Sequence, residues 1–199
     1  QDMTLFPATR PSSAGSPIIL FVHGGYWQET YKEQWLYLAP AFVKAGVAYA
    51  AVNYELAPQV RMDDIVDQVR RAVLWAYEHA EELGVDPTRL FVAGHSAGGH
   101  LTAMLLLTDW EAYSGGAATR PLQGGCAVSG LFDLEPIRYT SVNDALALDA
   151  ESAARNSPLH LLRERAGSRQ AGSEAAAFGL LPPLVCAVGG NETAEYVRQ

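Results

Sequence analysis

The stretch that decides the fold is residues 89–107, which read RLFVAGHSAGGHLTAMLLL. Residues 89–93 are a short apolar run typical of a buried strand, and residues 97–107 are an apolar run with the length of a helix. Between them, residues 94–98 match the pattern G-x-S-x-G, whose glycines let the backbone turn sharply on both sides of Ser96. A serine that only caps a helix is the alternative. The strand before the motif and the helix after it instead predict that Ser96 is an exposed nucleophile.

Outward from this stretch, apolar runs alternate with helical patterns. We predict strands at 17–22, 47–53, 89–93, 125–129 and 184–188, and helices at 35–45, 63–83 and 97–107. Continuous apolar strands that alternate with helices indicate an α/β protein with a mostly parallel central sheet, covered by helices on both faces. Residues 144–180 are alanine-rich and charged without strand signals, so we expect a helical insertion or lid within a single domain spanning residues 1–199.

Composition narrows the class of protein. The net charge of -8 and the pI near 5.0 argue against nucleic acid or an anionic membrane as the main partner. No apolar run reaches the roughly 18 residues that a bilayer span needs, and the first residues lack the basic and apolar regions of a signal peptide. We therefore expect a cytoplasmic enzyme. The sequence leaves open whether it forms a homodimer.

Two cysteines, Cys126 and Cys186, lie in apolar runs that read as buried strands. We interpret both as small core residues rather than as a disulfide or a reactive thiol. The sequence has no CxxC or HExxH spacing. It therefore predicts neither a metal site nor a cofactor.

A second motif, HGGYW at residues 23–27, directly follows the first predicted strand. Loops of this kind lie beside the nucleophile in lipases and esterases, where backbone N–H groups stabilise the oxyanion of a tetrahedral intermediate. The candidate donors are the N–H groups of Gly25, Tyr26 and Ala97. His23 precedes the loop, and we expect it to brace the loop rather than to act as the catalytic base.

Four segments carry a family resemblance: HGGYW, GHSAGGHL, SGLFDLEP and GGNETAEYVRQ, in this order. Together they resemble the kynurenine formamidase (arylformamidase) group of α/β-hydrolases, relatives of the hormone-sensitive-lipase type esterases. The likeness runs from about Leu5 to Gln199. It implies an α/β-hydrolase fold and a Ser–acid–His triad whose acid follows the strand LVCAVGG. Glu192 matches that position, where related sequences often carry Asp, and Asn191 is a weaker competitor.

The triad histidine is missing from the expected place. Triads of this fold run Ser, acid, His along the chain, and none of the seven residues after Glu192 is a histidine. We expect the histidine beyond Gln199, in an enzyme of which these residues are an internal piece cut at both ends. One internal alternative remains open, since Ser96, Asp133 and His160 also have the right order.

The resemblance implies a serine hydrolase that acts by acyl transfer on a small-molecule amide or ester. The expected substrate is an aryl formamide such as N-formyl-kynurenine, and a short-chain ester is the nearest rival. Trp27 and His95 are candidate pocket residues, and Tyr26 and Trp110 offer further aromatic surface, although Tyr26 and Trp27 could equally be packing. From a different class, a non-catalytic ligand-binding homologue without the histidine is the alternative.

Overall fold

The computed structural model describes residues 2–9, 13, 15–167 and 181–198. The strands are β1 (Met3–Phe6), β2 (Ser16–Val22), β3 (Ala48–Val52), β4 (Val85–His95), β5 (Leu122–Val128) and β6 (Leu184–Ala187). The α-helices are α1 (Ala39–Lys44), α2 (Met62–Glu78), α3 (Ala97–Leu106), α4 (Trp110–Ser114), α5 (Asn143–Leu146), α6 (Ala150–Arg155), α7 (Pro158–Gly167) and α8 (Ala194–Arg198). In this part of the chain, 3-10 helices span Lys32–Leu38 and Pro136–Tyr139.

The six strands form one sheet in the order β1-β3-β2-β4-β5-β6. Strand β1 pairs antiparallel with β3, and all other neighbours are parallel. This confirms the predicted mostly parallel sheet of an α/β-hydrolase fold. Because parallel strands end on the same side, the residues that follow β2, β4, β5 and β6 meet at one edge of the sheet, where ligands bind in open α/β folds.

Helices cover both faces of the sheet. Helix α2 packs its apolar face, which includes Ile65, Val69 and Val73, against the main core. Helix α3 is buried along its whole length. A helix buried on all sides must be apolar all round, which explains the composition of residues 97–107. On the opposite face, Phe21 and Tyr49 pack in a second cluster that includes residues of α1 and of the 3-10 helix before it.

Two elements differ from the sequence-based expectation. The helix predicted at 35–45 is divided into a 3-10 helix and α1, with Pro40 in the first turn of α1. Proline lacks an N–H and its ring clashes with the carbonyl of the fourth residue before it, so one α-helix cannot run through that position. Strand β1 was not predicted, because its four half-buried residues become a strand only by pairing with β3.

The cysteines are free thiols, but they are not both buried. Cys126 is half-buried, whereas Cys186 is exposed. The expectation that both are core residues is therefore wrong for Cys186. It lies in β6, the last strand at its side of the described sheet, where the apolar residues Val185 and Val188 are also exposed.

Three helices, α5 to α7, follow β5 and occupy the described part of the predicted insertion. Residues 168–180, which complete that insertion, lie outside the described residues. Within the described part of the chain, no helix combines the length and the apolar character needed to cross a bilayer.

Candidate active site

Ser96 lies at a sharp turn between β4 and α3. Its backbone angles, φ 55° and ψ -118°, fall where residues other than glycine are rarely found. Its N–H donates to the carbonyl of Val128, at the end of β5, over 2.8 Å. The predicted strand-to-helix turn is confirmed. The N-terminus of α3 lies directly behind Ser96, where its partial positive charge favours a developing anion.

The glycines around Ser96 allow three elements to meet at backbone distance. A Cβ atom added at Gly98 would lie 2.0 Å from the carbonyl oxygen of Val22, and one added at Gly94 would lie 2.2 Å from the carbonyl oxygen of Gly98. Such distances are far inside van der Waals contact. Any side chain at these positions would push β2, β4 and α3 apart.

The loop after β2 has an unusual backbone. Gly25, Tyr26 and Trp27 all have positive φ angles, of 98°, 47° and 60°. The carbonyl of Gly25 accepts the N–H groups of Gln28 and Glu29, each over 2.9 Å, and so closes a tight turn. Non-glycine residues in such conformations persist only where the surroundings hold them, and they cluster at functional sites.

This loop lies against the turn that carries Ser96. A Cβ atom added at Gly24 would lie 2.7 Å from the carbonyl oxygen of His95 and 3.2 Å from Cβ of Ser96. The structure thus brings Gly24 against Ser96. The loop residues Gly25 and Tyr26, which follow Gly24, therefore start beside the turn that contains Ser96 and Ala97. This approach is possible because position 24 has no side chain to separate the two segments.

His23 is buried beneath this loop. Its Nδ1–H is shared between the carbonyl of Gly24, at 2.9 Å, and the hydroxyl of Thr30, at 3.0 Å, while that hydroxyl donates to the same carbonyl. The ring stacks on Tyr54, with 4.1 Å between centroids, and the Tyr54 hydroxyl donates to the His23 carbonyl. Burial lowers the pKa of His23. These contacts stabilise the loop after β2, as expected for a residue with a structural role.

The two candidate pocket residues lie in different surroundings. Trp27 has no exposed surface, and its indole Nε1–H donates to Nδ1 of His100 over 3.2 Å. The structure therefore places Trp27 in the core and not on a pocket wall. His95 is half-buried beside Trp35, with 5.5 Å between ring centroids, and its Nδ1 lies near Gly24. Trp110 is also buried.

Glu192 lies at the same sheet edge as Ser96. Its Oε1 accepts the hydroxyl of Ser129 over 2.7 Å, and its backbone N–H donates to the carbonyl of Gly189. Ser129 directly follows β5 and its N–H donates to the carbonyl of Ala187, the last residue of β6. The turn after β6 thus brings the Glu192 carboxylate beside the end of β5, the strand whose Val128 carbonyl holds the N–H of Ser96.

Tyr196 is a site residue that the sequence reasoning missed. Its hydroxyl lies 3.3 Å from the hydroxyl of Tyr26, in the loop that faces Ser96. Burial, and next the contact with Tyr26, raise the pKa of Tyr196 to about 12. Nothing in the local pattern of residues 194–198 marks this tyrosine, because its position depends on the contact between α8 and Tyr26 in the loop after β2.

Asp133, the alternative acid, has other partners. Its Oδ1 accepts the N–H of Glu135 over 3.1 Å, and its Oδ2 accepts a guanidinium N–H of Arg198 over 3.3 Å. Arg198 also pairs with Glu195 on the same helix at 2.6 Å. These contacts give Asp133 a part in holding α8 in place. They favour Glu192 over Asp133 as the acid that faces a catalytic histidine.

An apolar pocket of about 210 Å³ lies elsewhere, between α3, α7 and β6. Leu106 and Leu107, which line it, stand at the far end of α3 from Ser96, about 15 Å along the helix. Among the described residues, no group of three or more His, Cys, Asp or Glu side chains is arranged to hold a metal ion.

The comparisons with known proteins agree with this architecture. The BD-FAE family model matches residues 4–146. The chain is 42% identical over 151 residues to kynurenine formamidase of Salmo salar, which covers 76% of the chain and 49% of that protein. It is 40% identical over 153 residues to kynurenine formamidase of Danio rerio, covering 77% and 50%. The chain thus spans about half the length of the curated relatives it matches.

Among solved structures, the fold is similar to that of a candidate thioesterase from Silicibacter sp. TM1040. The TM-score is 0.76 at 31% identity, and the match covers 98% of this chain and 64% of that one.

Proposed function

The chain belongs to the BD-FAE family, and from this premise we propose that it carries the nucleophile and the acid of a serine hydrolase that acts by acyl transfer. One observation carries the proposal. The strained turn at Ser96, the glycine loop at 24–26 and the carboxylate of Glu192 all meet at one sheet edge. A serine at a strained turn, beside a loop whose N–H groups can stabilise an oxyanion, is an arrangement that supports acyl transfer.

In the first step, the Ser96 hydroxyl attacks the acyl carbon of the substrate while a histidine takes its proton. The carbonyl oxygen becomes an oxyanion, and the N–H groups of Gly25, Tyr26 and Ala97 stabilise it. The intermediate collapses as the histidine returns the proton to the leaving amine or alcohol. In the second step, water repeats the sequence on the acyl-enzyme, which releases the acid and restores Ser96.

Glu192 orients the histidine and stabilises its charged form. Neither His23 nor His100 suits the role of that histidine, because both rings are buried in structural hydrogen bonds. A carboxylate held by the Ser129 hydroxyl keeps one oxygen free to accept the imidazole N–H.

The proposed substrate is an aryl formamide such as N-formyl-kynurenine. Support comes from the two fish relatives, both named kynurenine formamidase, at 42% and 40% identity. The ring of Tyr26 is partly exposed beside the site and offers the aromatic contact that Trp27 and Trp110, both buried, do not. We propose a cytoplasmic enzyme, and the acidic net charge argues for a small-molecule substrate rather than nucleic acid or an anionic membrane.

The test uses the full-length protein with N-formyl-kynurenine and p-nitrophenyl acetate as parallel substrates. We expect hydrolysis of both, with the higher kcat/KM for the formamide. Ser96→Ala should lower kcat by a factor on the order of 10⁶. Ser114→Ala, whose hydroxyl bonds to Ala118 in another part of the fold, is the matched control and should keep full activity.

Two results would contradict the proposal. Residual activity of Ser96→Ala within tenfold of the wild type would remove Ser96 as the nucleophile. Tight binding of either substrate without turnover by the wild type would instead identify a non-catalytic receptor.

A further inference from the structure

His100 is a buried histidine that the proposed mechanism does not use. Its ring has no exposed surface and makes two hydrogen bonds. Nδ1 accepts the indole N–H of Trp27 at 3.2 Å, and Nε2 donates to the carbonyl of Asn156 at 2.7 Å. An indole N–H can only donate and a carbonyl can only accept, so these partners select the neutral tautomer with its proton on Nε2. Burial lowers the pKa of His100 to about 4, which keeps this form at neutral pH.

These contacts join the two halves of the candidate site. His100 lies one turn after Ser96 in α3, and its backbone N–H donates to the Ser96 carbonyl over 3.0 Å. Trp27 directly follows Tyr26 in the loop that faces Ser96, with its own φ at 60°. The ring edge of one aromatic group meets the face of the other, with 5.1 Å between centroids and an interplanar angle of 85°. One side chain thus spans from the helix of the nucleophile to the loop of the oxyanion donors.

The far side of His100 is fixed as well. Asn156 accepts from His100 through its carbonyl, while its side-chain N–H donates to Asp63 of α2 over 2.8 Å. Arg155 pairs with the same carboxylate at 2.7 Å, and this pair lowers the pKa of Asp63. The acceptor of the His100 proton is therefore held by two elements outside the site, which leaves the ring little freedom to shift.

We propose that His100 is a positioning residue that sets the place of the oxyanion loop relative to Ser96. The proposal rests on the proposed function of the site. A loop with three successive positive φ angles needs outside contacts to hold it, and the Trp27 indole is its anchor in the core. If the anchor is lost, the N–H groups of Gly25 and Tyr26 move relative to the substrate carbonyl. Because an oxyanion forms only in the transition state, kcat is affected while KM is not.

Three substitutions separate the two hydrogen bonds. His100→Asn places an oxygen where Nδ1 was and keeps an acceptor for Trp27. His100→Gln instead keeps a donor for the Asn156 carbonyl, and His100→Phe keeps neither. We expect the Phe and Gln variants to lose about 100-fold in kcat with KM within about twofold, the scale of a small displacement of catalytic groups. His100→Asn should stay within about fivefold. His79→Gln, at a half-buried histidine stacked on Trp75, is the control.

A structural role alone predicts a different pattern. The kcat of the three variants would then follow their melting temperatures, with Asn no better than Gln, and this outcome would overturn the proposal. So would a loss confined to KM.

A readout that needs no turnover separates this proposal from the proposed function. Amide hydrogen exchange of Gln28 and Glu29, whose N–H groups are bonded within the loop, should rise in the Phe and Gln variants but not in Asn. If the wild type is inactive, the proposed function fails while this measurement still decides the role of His100. Equal exchange in all variants would overturn it.

Discussion

Ser96 and Glu192 reach the same sheet edge from very different surroundings. Ser96 follows β4, which lies between β2 and β5 and is packed under the fully buried α3. Glu192 follows β6, the last described strand on its side, where Val185 is 63% exposed. The nucleophile is held by backbone packed against backbone, whereas the acid is held by a partly buried hydrogen bond from the Ser129 hydroxyl.

This difference predicts how the surroundings of Ser96 and those of Glu192 tolerate substitutions. Around Ser96, a single added methyl group meets main-chain oxygen that cannot move without shifting a strand. Around Glu192, the neighbouring Gly190 has open space, and the local order depends on Ser129 and on the Arg198 contacts of α8. We expect substitutions of the glycines around Ser96 to lower stability, and substitutions at Glu192 and its partner Ser129 to lower the catalytic rate.

After the loss expected for Ser96→Ala, the largest expected effect is on catalysis at Glu192. Glu192→Gln removes the charge that stabilises a protonated histidine, and kcat should fall by about 10⁴-fold, as for the orienting carboxylate in the serine-protease template. The melting temperature should change little, because the carboxylate lies near the surface. Asp133→Asn is the comparison and should cost far less in kcat. The reverse order would assign the acid to Asp133.

The stability of the buried half is tested by two glycines. Gly98→Ala forces a methyl group against the carbonyl oxygen of Val22, and we expect a loss of about 3 kcal/mol in the free energy of unfolding. Gly190→Ala, in open space beside Glu192, should change it by less than about 0.5 kcal/mol. Chemical denaturation measures both. Equal losses would show that the two halves are held in the same way.

The pH dependence of stability gives the third contrast. The pKa of His100, about 4, lies below the ordinary value of 6.5 because the ring is buried. As the pH falls from 7 to 4.5, the unfolded chain binds a proton at His100, whereas the folded chain does not. The wild type therefore loses stability over this pH range. His100→Phe has no histidine at this position and does not share the loss. The difference in the free energy of unfolding between the wild type and His100→Phe should therefore decrease by about 2–3 kcal/mol. A difference that stays constant would mean that His100 takes up its proton in the fold.

The smallest expected effect on kcat is at Ser129, the residue that donates a hydrogen bond to Glu192. Ser129→Ala removes the hydroxyl that donates to Glu192, and a hydrogen bond to a charged group near the surface is worth about 1–2 kcal/mol. We expect about a tenfold fall in kcat in steady-state assays, with Ser114→Ala unchanged. A loss as large as that of Glu192→Gln would show that the hydroxyl has a direct part in the chemistry.

The local parts of the site could be predicted from sequence. The turn at Ser96 and the loop at 23–27 depend on glycines within a few residues of each other, and the strands and helices depend on short apolar periodicities. The burial of Trp27 could not be predicted, because an aromatic residue after HGGY has the same local pattern whether it points into the core or toward a ligand. The exposure of Cys186 depends on its strand lying at the side of the described sheet.

What the sequence by itself determined is the parallel sheet, the serine turn and the glycine loop, since each is encoded by neighbours along the chain. Only the tertiary structure decided what supports them. Ser129 and Glu192 are 63 residues apart, Trp27 and His100 are 73 apart, and Tyr26 and Tyr196 are 170 apart. Local periodicity in the sequence cannot predict such pairs, because they form only when strand ends and helix faces from distant segments pack together.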